Sequence, residues 1–208
     1  MRRKPNLALR MERCAHLLIK EPENYKGRWR DIMPECDKLY VELGCGKGRF
    51  TAETAATMPK TLFVAIEKVN DALVMAMERV ERMGLKNVRF ISGDVSKIIN
   101  MFDNGEVERI YINFCDPWPS KRHEKRRLTA PQFLSFYRTV LTDGGQIHFK
   151  TDNDALFSYS IEQFTYCGYH LTELTRDLHK NKIEGIMTDY EEKFYNQGTP
   201  IKRCVANR

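Results

Sequence analysis

The stretch Leu39-Tyr40-Val41-Glu42-Leu43-Gly44-Cys45-Gly46-Lys47-Gly48-Arg49-Phe50 decides the fold. Its first five residues are an apolar run that stops at three alternating glycines. Phe50 to Met58 is then rich in Ala and Thr and ends before Pro59, as a helix would. A strand that turns through glycines into a helix brings backbone N–H groups close to a ligand at the helix N-terminus. The same alternation continues outward. Thr61–Ile66 is a second apolar run, closed by Glu67, and Asn70–Met83 carries Leu73, Val74, Met77, Val80 and Met83 at helical spacing before Gly84. Val88–Ile91 reads as a strand closed by Ser92-Gly93-Asp94, and Val95–Met101 as a short helix. Arg109–Phe114 is the strongest strand pattern, Ala130–Leu141 a helix, Gln146–Lys150 a strand, and Ala155–Cys167 a helix stopped by Gly168. Tyr169–Leu174 and Ile201–Ala206 suggest a final strand pair, with a polar, irregular loop over 177–199. Five strands alternating with five helices predict an α/β fold, a parallel sheet with helices on both faces.

Composition sets the class. The chain has 208 residues, 42% hydrophobic and 30% charged, enough for one core without a staple and too apolar for wholesale disorder. No run approaches the roughly 18 apolar residues that span a bilayer. The basic start, Met1-Arg2-Arg3-Lys4-Pro5-Asn6, lacks the apolar stretch of a secretion signal. Six cysteines at 14, 36, 45, 115, 167 and 204 form no Cys-x-x-Cys, and no His spacing completes a zinc site, so a reduced cytoplasmic protein without a structural metal is expected. Cys45 and Cys115 stand at apolar runs, where a thiol packs as a small hydrophobe.

The net charge of +6 is unevenly spread. Residues 1–30 hold nine Lys or Arg against three Glu, whereas 31–208 hold 25 of each sign, among them five cations and one acid at 121–127. Two basic patches on a slightly acidic body suit either a polyanionic partner or a solvated lysine-rich surface. The expected organisation is a basic extension over 1–30, helical or disordered, followed by a single domain over 31–208.

The glycine turn is not a dinucleotide fingerprint, because Arg49 stands where a third small residue is required, and neither Gly44 nor Gly46 begins a Walker loop. Glu42-x-Gly44-x-Gly46-x-Gly48 resembles instead the first motif of class I S-adenosylmethionine methyltransferases. That ligand is a cation without phosphates, so acids beside the turn are useful. Glu67 is placed to accept two ribose hydroxyls and Asp94 to meet the adenine end, both beyond strand termini, where such sheets bind ligands.

At the end of the fourth strand stands Asn113-Phe114-Cys115-Asp116-Pro117-Trp118-Pro119-Ser120-Lys121-Arg122-His123-Glu124-Lys125-Arg126-Arg127. Dense cations suit phosphates, and an aromatic beside them suits an unpaired base. This stretch closely resembles the bacterial tRNA (guanine-N7-)-methyltransferase family, whose usual text DPWPKKRHEKRRL is matched from Asp116 to Leu128 with one difference. The likeness extends to His148-Phe149-Lys150-Thr151-Asp152-Asn153 and to Met187-Thr188-Asp189-Tyr190-Glu191 with Phe194 behind it, over about residues 25 to 206. It implies a Rossmann-like class I methyltransferase with a mostly parallel seven-stranded sheet. It further implies methyl transfer from S-adenosyl-L-methionine to N7 of guanosine 46 in the tRNA variable region, by a cytoplasmic monomer or homodimer.

By the same resemblance Glu42, Gly44, Gly46, Gly48, Glu67, Asp94 and Asp116 bind the cofactor, with Asp116 also the active-site residue. Ser120, Lys121, Asp152, Thr188, Asp189, Tyr190 and Glu191 bind substrate; on chemical grounds the carboxylate of Asp152 or Glu191 is the expected acceptor for the guanine N1–H and N2–H. Arg122, His123, Glu124, Lys125, Arg126 and Arg127 contact RNA. Ser120 departs from the family lysine and cannot supply its cationic arm. Two other readings stay open on the residues alone: an amino-methyltransferase acting on another base, since Asp-Pro-Trp-Pro is similar to a D-P-P-Y motif, and an RNA-binding module without catalysis.

Overall fold

A computed structural model describes residues 6–180 and 185–208. The basic start at Arg2, Arg3 and Lys4 and the centre of the expected polar loop, 181–184, lie outside the described residues. The strands form a seven-stranded sheet in the order β3-β2-β1-β4-β5-β7-β6. The chain divides into two compact units, the described residues up to Asp103 and Asn104–Arg208.

The first unit holds α1 (Leu7–Arg13), β1 (Lys38–Leu43), α2 (Arg49–Thr57), β2 (Thr61–Glu67), α3 (Asn70–Arg82), β3 (Val88–Ser92) and α4 (Ile98–Met101). Its strands are all parallel, with Leu43 opposite Ile66 and Glu67 opposite Ser92. Every residue of β2 is buried, as expected of a strand covered on both faces. Helix α3 buries Leu73, Val74, Met77 and Val80, four of the five residues whose spacing predicts it, while Met83 caps its end and is exposed; each full burial is worth about 2 kcal/mol before entropy costs.

Residues 6–30 are neither one helix nor a disordered arm. After α1 the chain runs through short 3-10 turns, and Leu18 bridges to Phe90 on β3. Trp29 is fully buried, stacked on Phe102, with its indole N–H donated to the Met101 carbonyl at 2.8 Å. Part of the expected basic patch is engaged within the unit. Arg10 on α1 grips Glu78 on α3 through two hydrogen bonds, Nε to Oε1 at 2.7 Å and Nη2 to Oε2 at 2.6 Å, and His16 lies 2.8 Å from Glu81.

The second unit holds β4 (Val107–Asn113), α5 (Pro131–Val140), β5 (Leu141–Thr151), α6 (Asp154–Tyr166), β6 (His170–Thr175), α7 (Asp189–Asn196) and β7 (Lys202–Asn207). Strands β4 and β5 are parallel, and β7 runs antiparallel to β5 and β6. The expected final strand pair is therefore present. One face packs Ile110, Ile112, Ile147 and Phe149 into the core, with Phe149 against Phe157 and Phe164 of α6. The alternate residues Arg109, Tyr111, Gln146 and His148 form a polar network on the other face.

One expectation fails here. The region 177–199 is not irregular throughout, because Asp189–Asn196 is helical. Thr188 caps that helix, its Oγ1 accepting from the Glu191 backbone N–H at 2.9 Å. The Thr-x-x-Glu spacing is a helix-start signature that the polarity of the segment obscures.

Candidate active site

In the first unit the parallel register gathers the acids at one end of the strands. After β1 the backbone folds over β2: Gly44 N–H donates to the Ile66 carbonyl at 2.8 Å, and Gly46 N–H to Glu67 Oε2 at 3.0 Å. Gly44, Gly46 and Gly48 all have left-handed φ, at 78°, 56° and 72°. Their surroundings differ. A Cβ on Gly48 would lie 2.5 Å from Ala76 Cβ, so this glycine lets α2 approach α3. A Cβ on Gly44 or Gly46 would meet nothing within 4 Å. The turn thus presents open space with backbone exposed, a cradle that a side chain would fill and a ligand can enter.

Three carboxylates accompany this turn. Glu42 is buried and accepts from the Thr51 hydroxyl on α2. Glu67 is held by two backbone N–H groups, Gly46 on Oε2 at 3.0 Å and Val69 on Oε1 at 2.8 Å. This fixes its orientation and leaves a second lone pair on each oxygen for a ribose diol. Asp94 caps the turn after β3 by accepting from Ser96 N–H at 2.8 Å; that backbone bond and the Ser96 hydroxyl hold its carboxyl below the usual range. Val69 is an exposed apolar residue beside Glu67, and Val95 is half-buried beside Asp94; both suit a purine face, and sequence reasoning did not single them out. Burial and then the Glu42 and Glu67 carboxylates push the Cys45 thiol well up, so it packs as a neutral hydrophobe, as expected. The donor set fits a cationic sulfonium cofactor bearing a nucleoside.

In the second unit, Phe114 N–H donates to the Lys150 carbonyl at 2.9 Å, which aligns the ends of β4 and β5. Asp116 and Asp152 follow these ends. Burial first, then Asp116, and more weakly Asp152, push the Cys115 thiol up to about 12. Both carboxylates therefore act on the Cys115 thiol. Asp116 is exposed and Asp152 half-buried. Phe114 and Trp118, on either side of Asp116, adopt left-handed φ of 53° and 40° without being glycine. Such conformations cost on the order of 1–3 kcal/mol each and persist where surroundings enforce them. Phe114 is enforced by stacking on Tyr190 and Phe194 of α7, at 6.5 and 6.1 Å.

Lys121–Arg126 winds into a 3-10 turn after Ser120, which makes no side-chain cap. Lys121, Arg122, Lys125 and Arg126 are exposed, and His123 and Glu124 half-buried. Arg126 lies 5.0 Å over the Trp118 ring, and His123 packs edge-on against it. Arg127 points inward, away from the role expected of it.

The Thr188–Glu191 group is placed differently from the expectation. Thr188 is buried with its Oγ1 accepting at the helix cap, and Glu191 is 1% exposed. Its Oε2 accepts from Lys150 Nζ at 3.0 Å, and its Oε1 lies 3.4 Å from His179 Nε2. A buried carboxylate so engaged is not presented to solvent, whereas Asp152 is half-buried. Asp189 is half-buried at the first turn of α7, and Tyr190 is 61% exposed. Lys150 and Phe114 organise this end of the unit; both lie within motifs read from the sequence, where neither has a role of its own. Among the described residues no group of His, Cys, Asp and Glu could hold a metal ion, and no helix is long and apolar enough to cross a membrane.

A family described as putative methyltransferase matches residues 37–204. A tRNA (guanine-N(7)-)-methyltransferase of Halalkalibacterium halodurans is 47% identical over 191 residues, 91% of this chain and 87% of that protein. One from Geobacillus sp. (strain WCH70) is 43% identical, covering 98% and 93%. Among solved structures, the 16S rRNA methyltransferase KamB superposes with a TM-score of 0.66 at 12% identity, covering 87% of this chain and 92% of that one, a likeness of fold alone.

Proposed function

The chain belongs to the tRNA (guanine-N(7)-)-methyltransferase family, and from that premise we propose how its residues divide the reaction. It is an enzyme that transfers a methyl group from S-adenosyl-L-methionine to N7 of a guanosine in tRNA. The guanosine is position 46 of the variable region, and the enzyme works in the cytoplasm as a monomer or homodimer. The observation that carries the cofactor assignment is the open, left-handed turn at Gly44 and Gly46 beside the anchored carboxylate of Glu67.

Bound S-adenosyl-L-methionine supplies an electrophilic methyl on a sulfonium. Glu67 takes the ribose hydroxyls on its remaining lone pairs, Asp94 the adenine end, and Glu42 supports the turn from beneath through Thr51. Guanine N7 has a lone pair and no proton, so no side chain needs to act as a base there. Positive charge grows on the purine as the methyl arrives, and the carboxylate of Asp116 stabilises it. Asp152 accepts from the guanine N1–H and N2–H groups and fixes which edge of the base faces the methyl. The exposed Lys121, Arg122, Lys125 and Arg126 meet phosphates, and Lys121 stands in for the cation that Ser120 lacks. The base leaves its tertiary contacts to reach this site.

The test is methyl transfer to tRNA with and without a guanosine in the variable region, followed by mapping of the product. N7-methylguanosine creates an alkali-labile site, and transfer that persists without that guanosine overturns the assignment. Asp116→Ala is expected to lower turnover far more than tRNA affinity; a change confined to KM for tRNA removes Asp116 from the reaction.

A further inference from the structure

Arg127 closes the run of cations that the resemblance assigns to RNA, yet it is the one built into the protein. Its Nε donates to the Pro117 carbonyl and its Nη2 to the Trp118 carbonyl, both at 3.1 Å. Its guanidinium lies 4.3 Å over the Tyr159 ring of α6, and Nη1 is 4.0 Å from Glu124. The side chain is only 12% exposed. The two carbonyls it grips belong to the residues that directly follow Asp116, and one of them, Trp118, is held in a left-handed conformation. Such a turn does not keep its shape unaided. Support comes from two directions: Phe114 is stacked on α7, and Pro117 and Trp118 are tied down by Arg127.

We infer that Arg127 is a positioning residue: its fork on the Pro117 and Trp118 carbonyls, backed by Tyr159, holds the carboxylate of Asp116 in place, while Lys121, Arg122, Lys125 and Arg126 bind the phosphates. The inference rests on the reading of Asp116 as the active-site carboxylate. A planar guanidinium can reach two carbonyls and stack on a ring at once; an ammonium carries the same charge without the fork. Lysine therefore separates the two roles, since it preserves an attraction to phosphate and abolishes the grip.

Arg127→Lys, Arg127→Gln and Asp116→Ala are to be compared in the full chain, by single-turnover methyl transfer at saturating tRNA and cofactor and by tRNA affinity as a function of salt. Arg127→Lys is expected to lose roughly 10- to 100-fold in rate, as a misplaced group about 1 Å out of position does. Its tRNA affinity and salt slope should be unchanged, and Arg127→Gln should also leave the slope intact. Iodide quenching gives a readout of the loop itself. The chain has two tryptophans, and Trp29 is fully buried, so quenchable emission reports Trp118 and should rise in Arg127→Lys. A rate within about twofold of the parent in Arg127→Lys, or a slope reduced in Arg127→Gln by the roughly 0.7–0.9 that one neutralised phosphate contributes, overturns the inference. Should Arg127→Lys fail to fold, Tyr159→Leu removes only the backing ring; a parent-like rate there overturns it equally. If Asp116→Ala itself turns over normally, the active-site reading has failed; if Asp116→Ala is dead and Arg127→Lys keeps a rate within about twofold of the parent, only the positioning role has.

Discussion

Replacing the three glycines of the first turn one at a time by alanine should separate stability from cofactor binding. All three have left-handed φ, which costs an alanine about 1–2 kcal/mol. Gly48→Ala adds a clash, because the new Cβ falls 2.5 Å from Ala76 Cβ and 2.8 Å from Ala76 Cα, and a backbone atom on a packed helix cannot step aside. Overpacking of this kind costs about 1–3 kcal/mol more. The total, roughly 2–5 kcal/mol, corresponds to a fall in Tm of about 4–20 °C in a chain of this size. Gly44→Ala and Gly46→Ala meet nothing within 4 Å and carry only the backbone cost, about 2–8 °C. Their methyl groups instead occupy the space over the exposed backbone where the cofactor comes, so binding of S-adenosyl-L-methionine by calorimetry should weaken at least about tenfold, a loss of about 1.4 kcal/mol. Two results refute the reasoning: Gly48→Ala melting within about 1 °C of Gly44→Ala, or Gly44→Ala and Gly46→Ala both binding the cofactor as the parent does.

Other perturbations follow from the second unit. Glu191→Ala removes the carboxylate that faces the buried Lys150 ammonium, whose Nζ also donates to the Ile186 carbonyl at 3.4 Å, and should cost up to about 3–5 kcal/mol in urea unfolding, whereas Lys150→Met with Glu191→Leu should recover most of that loss; equal damage from both would show that the pair does not matter as a pair. His148 is pushed down to about 3 by burial, Arg109, Arg203 and Lys150, so it stays neutral in the fold while the unfolded chain takes up its proton near 6.5. Stability should therefore fall as pH drops through the window from about 6.5 to 3, by up to about 1.4 kcal/mol per unit, and His148→Gln should flatten that fall between pH 7 and 5; an unchanged slope would contradict the assignment. Arg122→Gln with Arg126→Gln should weaken tRNA binding and reduce its salt slope by about 0.7–0.9 for each phosphate that is no longer neutralised, measured by filter binding; a slope equal to the parent's would mean that neither touches phosphate.

Much of the fold is legible in the chain because its signals are local and periodic. The apolar run into Gly44, the helical spacing from Leu73 to Val80 and the polar ends of the strands each lie within a dozen residues, and the structure places β1, α2, β2 and α3 within a residue or two of those signals, whereas β5 begins at Leu141, well before the expected Gln146, and α4 only at Ile98. The helix at Asp189–Asn196 is missed for the opposite reason. Its few apolar residues give a weak stripe, and its start signal, Thr188 with Glu191, reads as a substrate motif before it reads as a cap. The N-terminal segment is obscured by its charges, some of which serve the fold: Arg10 finds its partner 68 residues away.

The sequence by itself determined the class of fold, the glycine turn after the first strand and the strand ends at which chemistry-bearing residues stand, since each depends on residue type and near spacing. It could not determine which of those residues face solvent. Glu191 and Asp152 are equally plausible carboxylates in the chain, and Arg126 and Arg127 equally plausible cations. Tertiary structure alone buries Glu191 against a lysine 41 residues away and turns Arg127 onto the loop carbonyls while leaving Arg126 exposed on Trp118. The physical reason is that burial of a charge is decided by partners brought from distant segments, and the cost of desolvation makes a paired charge stay where those partners are.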